Sequence, residues 1–271
     1  MAIEGNTLNL DQVTALIEGK SVIGSQREIR EVLNAIDVYD QMQAYDANNS
    51  ASLRKAHRMM MGDLLNSAGA WRSGNVGIFK GTAVSHIAPP ADRVPHLMEE
   101  LFQFLKEDKH HTLIKSAVFH YELEFIHPFE DGNGRLGRFW HSLLLTRYHP
   151  IFEYTPVESL IREHQSDYYE ALGHADRVGD STQFIEFSLD MVFHALENLM
   201  DAIRPEPATA ETRLERAKGH FGDGEFTRKD YLKLFKGVST ATASRDLKAG
   251  VDGGHLRKHG ERALTRYRFS R

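Results

Sequence analysis

The strongest constraint on the fold of this chain is a polar stretch of twelve residues, 127–138, that lies between two apolar helical segments. It reads HPFEDGNGRLGR and combines a histidine, two carboxylates, three glycines, an asparagine and two arginines. A core turn has no need of so many polar groups, and burying them unpaired would be costly. Backbone N–H groups freed by glycine, a helix N-terminus and fixed cations are instead the components of a phosphate site.

Helical periodicity dominates the chain on both sides of this motif. Pro128 ends the segment before the motif, because the residue preceding a proline disfavours helical geometry, and His127 therefore falls at the C-terminal mouth of a helix. The predicted helices before the motif cover residues 9–19, with an Asn9–Gln12 capping box, then 25–44, 53–65, 91–106 and 111–125. Those after it begin at Gly134 or Arg135 and end at Tyr148, then cover 156–164, 166–178 and 183–204.

Residues 71–90 depart from the helical pattern. Val76, Ile78 and Phe79 alternate with glycines, which predicts a β-hairpin with its turn near Lys80-Gly81. A lone hairpin is marginal by itself, so it must lie on the helices, and its free edge could pair with an extended peptide. A surface hairpin without a role stays open as the alternative.

The linker at residues 205–210, rich in proline, alanine and threonine, predicts a boundary between two modules. From Phe226 to Arg271 the chain carries twelve Lys and Arg against four Asp and Glu, a net charge of +8, so with −5 overall the first 225 residues carry −13. Helices at 211–220, 227–235 and 239–249 and strands near Leu256 and 265–269 are expected there. The predicted organisation is an N-terminal segment at residues 1–19, a large module at 20–204, a linker and connecting helix at 205–225 and a small basic module at 226–271.

Composition excludes several classes of protein. The chain has no cysteine, which excludes a disulfide framework and a thiolate metal site. No apolar run is long enough for a transmembrane helix, and the N-terminus lacks a signal-peptide pattern. A cytoplasmic location without membrane association is the resulting expectation.

The residues of the motif suggest distinct chemical roles. Gly132 and Gly134 allow a tight turn whose N–H groups point into one concavity, where the helix N-terminus adds positive potential. Arg135 and Arg138 lie three residues apart and project from one helical face. Such a site could hold the anionic oxygens of a polyphosphate. A Walker loop or a dinucleotide fold is excluded, because both require a preceding strand.

Two further residues supply the reactive chemistry. Asp131 can bind Mg²⁺, which usually takes one or two carboxylates together with phosphate oxygens. Histidine is the only side-chain type in the motif whose unperturbed pKa lies near working pH, so His127 is the expected general base. The motif contains neither cysteine nor serine, so the attacking group should come from the substrate. These residues alone do not distinguish the transfer of an adenylyl group from that of a phosphoryl group.

The spacing matches HxFx(D/E)GNGRxxR, and the chain thereby resembles the Fic-domain family. The resemblance extends over about residues 20–204 and implies a mainly α fold, a Fic-type helical bundle with a β-hairpin flap. It implies transfer of AMP from ATP, with Mg²⁺, to a Ser, Thr or Tyr hydroxyl of a target protein. The implied roles are general base for His127, Mg²⁺ binding for Asp131, phosphate binding for Gly132, Asn133, Gly134, Arg135 and Arg138, target alignment for the flap residues Val76, Gly77, Ile78 and Phe79, and proximity to adenine for Tyr168 and Tyr169.

A second resemblance concerns the N-terminus, where Glu4-Gly5 looks like the end of the family's inhibitory motif (S/T)xxxE(G/N). In the family this glutamate pairs with the second motif arginine and blocks the γ-phosphate, which here implies a pair between Glu4 and Arg138. A carboxylate can compete with phosphate for one guanidinium. The Ser or Thr of the pattern would fall one position before Met1, so either the chain is truncated or its inhibitory helix is short.

The C-terminal module resembles a winged helix, with residues 239–247 as its recognition-type helix. Its basic side chains could meet nucleic acid phosphates, although such modules also dock proteins. The basic residues in question are Arg245, Lys248, Arg257, Lys258, Arg262, Arg266 and Arg268. Two alternatives to AMP transfer stay open: removal of AMP by the same site, and a DNA-binding regulator whose Fic core senses a nucleotide. A homodimer also stays open.

Overall fold

The computed structural model describes residues 2–80, 83–203, 209–261 and 264–270. The chain divides into two compact units, residues 1–202 and 203–271. Residues 205–208 of the predicted linker and the basic residue Arg262 lie outside the described residues. The first unit contains the motif, and the second contains the basic segment.

The first unit is built from helices. Several begin at a side-chain cap, which Asn9, Ser25, Asn49 or His111 supplies, and the amphipathic ones bury an apolar face. Its helices are α1 (Leu10–Ile17), α2 (Gln26–Asp40), α3 (Ser50–Met61), α4 (Val94–Glu107), α5 (Thr112–Ile126), α6 (Asn133–Tyr148), α7 (Val157–Glu163), α8 (Gln165–Val178) and α9 (Thr182–Ile203), with 3₁₀ turns at Ala2–Glu4, Met42–Ala44, Ala91–Arg93 and Pro150–Tyr154. The predicted Asn9–Gln12 capping box is present at α1. The expectation of a mainly α fold is confirmed.

Two buried clusters form the core of this unit, and α5 and α6 contribute to both. One side of the α5–α6 pair packs on α3 and α4, where Phe119, Phe139 and Trp140 are fully buried. The other side packs on α7, α8 and α9 through residues such as Tyr121 and Leu145. Because both flanking helices of the motif are surrounded by core, the loop between them is held at both ends.

The bounds of α2 and α3 differ from prediction, because a local cap and contacts with other parts of the chain set them. Helix α2 ends at Asp40 instead of reaching residue 44, since the chain tightens into a 3₁₀ turn whose Met42 still packs on the core. Helix α3 covers 50–61 instead of 53–65. The side chain of Asn49 accepts the Ala51 N–H at its start, and Asn34 Nδ2 donates to the carbonyls of residues 60 and 62 at its end.

The predicted hairpin is present as strands β1 (Gly77–Lys80) and β2 (Ala83–Ile87). The strands are antiparallel and pair Gly77 with Ile87, with an irregularity of register after Ile78. The predicted turn position Gly81 lies outside the described residues, as do the side chains of Ile78 and Phe79.

The second unit contains α10 (Ala210–Phe221), α11 (Arg228–Leu234) and α12 (Thr240–Asp252), followed by the antiparallel strands β3 (Leu256–His259) and β4 (Arg266–Phe269). Its core includes Leu214 and Ala217, so the helix expected as a connection packs inside this unit. Arg213 donates two hydrogen bonds to the buried Asp246 carboxylate, at 2.6 and 2.8 Å, which fixes α12 against α10.

Within the described residues, every helix is too short or too polar to cross a membrane.

Candidate functional site

Helix α5 ends at Ile126, and His127 caps it in the left-handed conformation with φ 49° and ψ 60°. A residue other than glycine holds this conformation only where its surroundings enforce it. The Nδ1 atom of His127 lies 3.3 Å from the carbonyl oxygen of Glu124. A carbonyl only accepts hydrogen bonds, so this contact places the ring proton on Nδ1 and the basic lone pair on Nε2.

The loop after His127 is braced from α3 by His57. The His57 ring stacks on Phe129, with ring centroids 3.7 Å apart, and both side chains are fully buried. Its Nδ1 accepts the N–H of Gly69 and its Nε2 donates to the carbonyl of Asp131, each at 2.8 Å. Burial lowers the pKa of His57 to about 4, so the ring is neutral near pH 7 and keeps both bonds.

Asn133 closes the same loop with its side-chain amide. Its Oδ1 accepts the N–H of Phe129 and its Nδ2 donates to the Phe129 carbonyl, both at 2.9 Å. The side chain is therefore used within the loop, and a phosphate could meet only the backbone N–H of Asn133. Of the phosphate contacts predicted for Asn133, this geometry leaves only those of its main chain.

Helix α6 presents an open N-terminus to the site. Its N-cap is Gly132, with φ 84°, where a Cβ would lie 2.7 Å from the Met61 sulfur. The first α-helical donor is the N–H of Leu136, which bonds the Gly132 carbonyl at 3.0 Å. The three preceding amides, at residues 133–135, therefore lie in the turn that a helix leaves without intrahelical acceptors. This turn is positioned to bind an anion.

Glu4 lies against this turn. Its Oε1 is 2.6 Å from Nη2 of Arg138, whose side chain is only 2% exposed. A Cβ on Gly134 would lie 2.6 Å from the same Glu4 oxygen, so the missing side chain of Gly134 makes room for the carboxylate. The structure thus brings together Glu4 and Arg138, which are 134 positions apart in the sequence.

Several contacts hold the segment that carries Glu4. Ile3 is buried in the core, and Gln165 Nε2 on α8 donates to its carbonyl at 3.0 Å. Asn6 Nδ2 donates to the Glu28 carbonyl at 3.1 Å, and the Thr7 N–H donates to the Glu28 carboxylate at 2.8 Å. The position of the Glu4 carboxylate is therefore fixed on both sides along the chain.

The other motif arginine, Arg135, has two carboxylates beside it. Its Nη1 lies 3.5 Å from Glu31 of α2, and its Nη2 lies 3.4 Å from Asp131. Asn6 also donates to Glu31, at 3.0 Å, which links the N-terminal segment to this pair. Arg27 approaches the second oxygen of Asp131 at 3.7 Å. Anionic side chains thus neighbour both motif arginines.

Asp131 suits a cation that is shared with a nucleotide. Its side chain is 48% exposed at the mouth of the site and presents hard oxygen atoms. No group of three or more metal-ligating residues occurs among the described residues, so a metal cage made by the protein alone is not present in that part of the chain. Mg²⁺ usually needs only one or two carboxylates with phosphate oxygens, and the donor set fits that arrangement.

A buried polar layer lies behind Arg138. The Tyr168 hydroxyl is 3.2 Å from His120 Nε2, and both side chains are buried. Burial lowers the pKa of His120 to about 3 and raises the pKa of Glu124 to about 6. Of the tyrosine pair expected near adenine, Tyr168 is thus a core residue, whereas Tyr169 is 42% exposed. Their position relative to a nucleotide stays a prediction.

The hairpin is held beside the site by the residues that flank its two strands, which we call its roots. The N–H of Ala88 donates to the Val76 carbonyl at 3.3 Å, and Arg72 donates to the carbonyls of Gly74 and Pro89. Three contributors to the site, Glu31, His57 and Arg72, were absent from the sequence prediction. Each acts through a contact to a distant part of the chain, so no local pattern marks it.

Comparison with known proteins places these features in a family. The Fic/DOC family model matches residues 48–145. A crystal structure of a Fic family protein from Desulfovibrio desulfuricans G20 is 40% identical, with a TM-score of 0.72, and the match covers 99% of this chain and 83% of that one.

Two curated relatives are also similar. A protein adenylyltransferase Fic from Culex quinquefasciatus is 28% identical over 90% of this chain and 50% of its own length. A protein adenylyltransferase fic-1 from Caenorhabditis elegans is 29% identical over 69% of this chain and 37% of its own length. The chain therefore spans half or less of the length of these two relatives.

Proposed function

Because this chain belongs to the Fic/DOC family, we propose that it transfers AMP from ATP to a hydroxyl group of a target protein. The observation that carries the proposal is the junction of α5 and α6. It places the basic Nε2 of His127 and the open N-terminus of α6 on one short loop. The names of the two curated relatives support the same reaction.

In the proposed reaction, Nε2 of His127 takes the proton from the target hydroxyl as its oxygen attacks the α-phosphorus of ATP. A bond forms between that oxygen and the α-phosphorus, and the bond from the α-phosphorus to the bridging oxygen of the β-phosphate breaks. Pyrophosphate leaves with the electron pair. The Nδ1 contact to the Glu124 carbonyl supports this role, because it holds the ring and stabilises the imidazolium that forms.

The phosphates are assigned to the first turn of α6 and its two arginines. The backbone N–H groups of 133–135 stabilise charge that develops on the α-phosphate, and Arg135 and Arg138 hold the β- and γ-phosphates. Mg²⁺, held by Asp131 and phosphate oxygens, would neutralise part of the negative charge. The backbone of the hairpin from Val76 to Phe79 would align the target peptide by strand addition.

Glu4 is assigned an inhibitory role in this scheme. Its carboxylate takes the Arg138 guanidinium that the γ-phosphate needs, at 2.6 Å, and it lies over Gly134. A phosphate and a carboxylate cannot occupy the same guanidinium edge together. ATP could then bind productively only when the Ile3–Asn6 contacts open.

The test is incubation with Mg²⁺ and ATP labelled at the α-phosphate, in the presence of a cell lysate. Glu4→Gly should transfer about tenfold more AMP to protein than the wild type, because the competing carboxylate is gone. Glu4→Gly combined with His127→Ala should transfer none, and Glu18→Gly, on an exposed glutamate of α1's C-terminal end, should behave as the wild type. Equal transfer by the wild type and Glu4→Gly would contradict inhibition, and no transfer by either would contradict the reaction.

For the second unit we propose an additional function, the binding of duplex nucleic acid. Arg257, Lys258, Arg266 and Arg268 are exposed on β3 and β4, and Arg245 is exposed on α12. Such a set of cations on a hairpin and a helix of one small unit complements the phosphates of a duplex. The buried Arg213–Asp246 pair supports the proposal by fixing the helix that would enter a groove.

A 20-base-pair duplex of mixed sequence tests this binding at several salt concentrations. The Arg245→Ala/Arg257→Ala variant should bind more weakly, and the negative slope of log K against log salt should become smaller in magnitude by about two. Lys20→Ala, on an exposed lysine of the first unit, serves as the control. Absence of binding at low salt, or the same salt slope in the variant, would contradict the proposal.

A further inference from the structure

Arg72 is a buried cation between the hairpin and the end of α5. Only 5% of the surface of Arg72 is exposed. Nε donates to the His127 carbonyl at 2.7 Å, Nη1 to the Gly74 carbonyl at 2.8 Å, and Nη2 to the carbonyls of Pro89 at 2.5 Å and Ile126 at 3.3 Å. Within the described residues, every hydrogen-bond acceptor of this guanidinium is a backbone carbonyl.

This arrangement is energetically unusual. Burial lowers the pKa of the Arg72 guanidinium, which reflects the cost of removing its charge from water. The carbonyls of Ile126 and His127 offset this cost, because they lie at the negative end of α5. The last carbonyls of a helix have no intrahelical donors, so they are available to the guanidinium. A smaller apolar side chain would leave these carbonyls unpaired, which costs free energy.

The contacts of Arg72 connect the two roots of the hairpin to the histidine. Gly74 precedes β1 and Pro89 follows β2, so one planar group holds both ends of the flap. The N–H of Arg72 also donates to the Pro128 carbonyl at 2.9 Å, directly after His127. A displacement of this guanidinium would therefore move the flap and the His127 backbone together.

The nucleotide side of the loop is held by different groups. His57 bonds the Asp131 carbonyl, and Asn133 bonds the Phe129 backbone. Neither contact involves Arg72. The loss of Arg72 should therefore disturb the side of the site that receives the target more than the side that receives phosphates.

We propose that Arg72 is a positioning residue that holds the flap and His127 in one fixed relation, so that a hydroxyl aligned on the flap reaches Nε2. This role rests on the proposed AMP transfer. Arg72→Lys keeps the positive charge but loses the planar set of donors that reaches four carbonyls. A misplacement of about 1 Å in such an alignment lowers rates by about 100-fold.

The experiment compares Glu4→Gly with Glu4→Gly/Arg72→Lys. The Kd for a fluorescent ATP analogue with Mg²⁺ should stay within about twofold, whereas AMP transfer to lysate proteins should fall by about 10- to 100-fold. Hydrogen exchange should accelerate at residues 74–89 and 127–129 and remain unchanged in 139–148. Arg147→Lys is the matched control, because Arg147 also donates to two backbone carbonyls, those of Gln43 and Tyr45, away from the flap.

Each outcome decides the proposal. Unchanged transfer, or a parallel loss of ATP binding and transfer, would overturn the positioning role. If Glu4→Gly itself transfers no AMP, the proposed reaction fails, and hydrogen exchange then decides alone: faster exchange confined to the hairpin roots and the His127 loop supports the role of Arg72, and an unchanged pattern overturns it.

Discussion

At the scale of single residues, the motif combines side chains to which we assign contacts with the ligand and side chains that hold the loop itself. Asn133 illustrates the second kind, because its amide bonds both the N–H and the carbonyl of Phe129. Phe129 is fully buried, so these two backbone groups have no access to water. The loop therefore depends on an amide side chain at this position, which alone among small side chains supplies both a donor and an acceptor in a plane.

Asn133→Ala is expected to lower the free energy of unfolding of the first unit by about 2–3 kcal/mol. The substitution removes two hydrogen bonds and leaves a buried donor and a buried acceptor unpaired. Urea denaturation monitored by tryptophan fluorescence measures the change. Asn48→Ala, on an exposed asparagine, should cost less than about 0.5 kcal/mol. A loss as small as that of Asn48→Ala would contradict the role of Asn133 in closing the loop.

At the scale of elements, the sequence predicted what depends on local chemistry. Both helices around the motif, the Asn9 cap and the hairpin follow from periodicity, capping side chains and glycines. The ends of α2 and α3 were misplaced by three to four residues, because Asn34 caps α3 from another helix and Met42 extends the apolar pattern beyond α2. Such tertiary capping leaves no mark in the local sequence.

The residues of the site also divide into those that the local sequence predicts and those that tertiary contacts bring to it. Its twelve-residue motif could be predicted, since His127 and the α6 N-terminus are brought together by one short loop. The partners that set its electrostatics could not, because Glu31, His57 and Arg72 reach it from separate elements. Glu4 stands between these two cases. Its pair with Arg138 was implied by the resemblance of Glu4-Gly5 to a family motif, but the contact itself depends on the fold.

At the scale of the whole molecule, buried neutral histidines make the free energy of unfolding depend on pH. Burial lowers the pKa of His57 to about 4 and the pKa values of His120 and His141 to about 3, from an ordinary value of 6.5. The unfolded chain therefore binds more protons than the folded chain below pH 6.5. Glu124, whose pKa burial raises to about 6, and Glu122, whose pKa burial also raises, act in the opposite direction, but they are two groups against three histidines.

The free energy of unfolding is thus expected to fall as the pH is lowered from about 6.5 to about 4. Each histidine contributes at most about 1.4 kcal/mol per pH unit in this window. Urea denaturation at pH 7 and pH 5 measures the slope. His141→Gln should reduce the slope, whereas His96→Gln, on a side chain that is 66% exposed, should leave it unchanged. Stability that rises on acidification, or equal slopes for the wild type and His141→Gln, would contradict this assignment.

The pair of Glu4 and Arg138 has a quantitative consequence, because both groups belong to the same chain. A ligand that needs Arg138 competes with a tethered carboxylate, whose effective concentration is set by the length and stiffness of the tether and commonly reaches the millimolar range. Dilution of the protein leaves that concentration unchanged. The apparent affinity of the ligand is then its intrinsic affinity multiplied by the fraction of molecules in which the carboxylate is away. With the inhibitory role proposed for Glu4, the anchoring of Ile3 and Asn6 would set the ligand concentration at which the site responds.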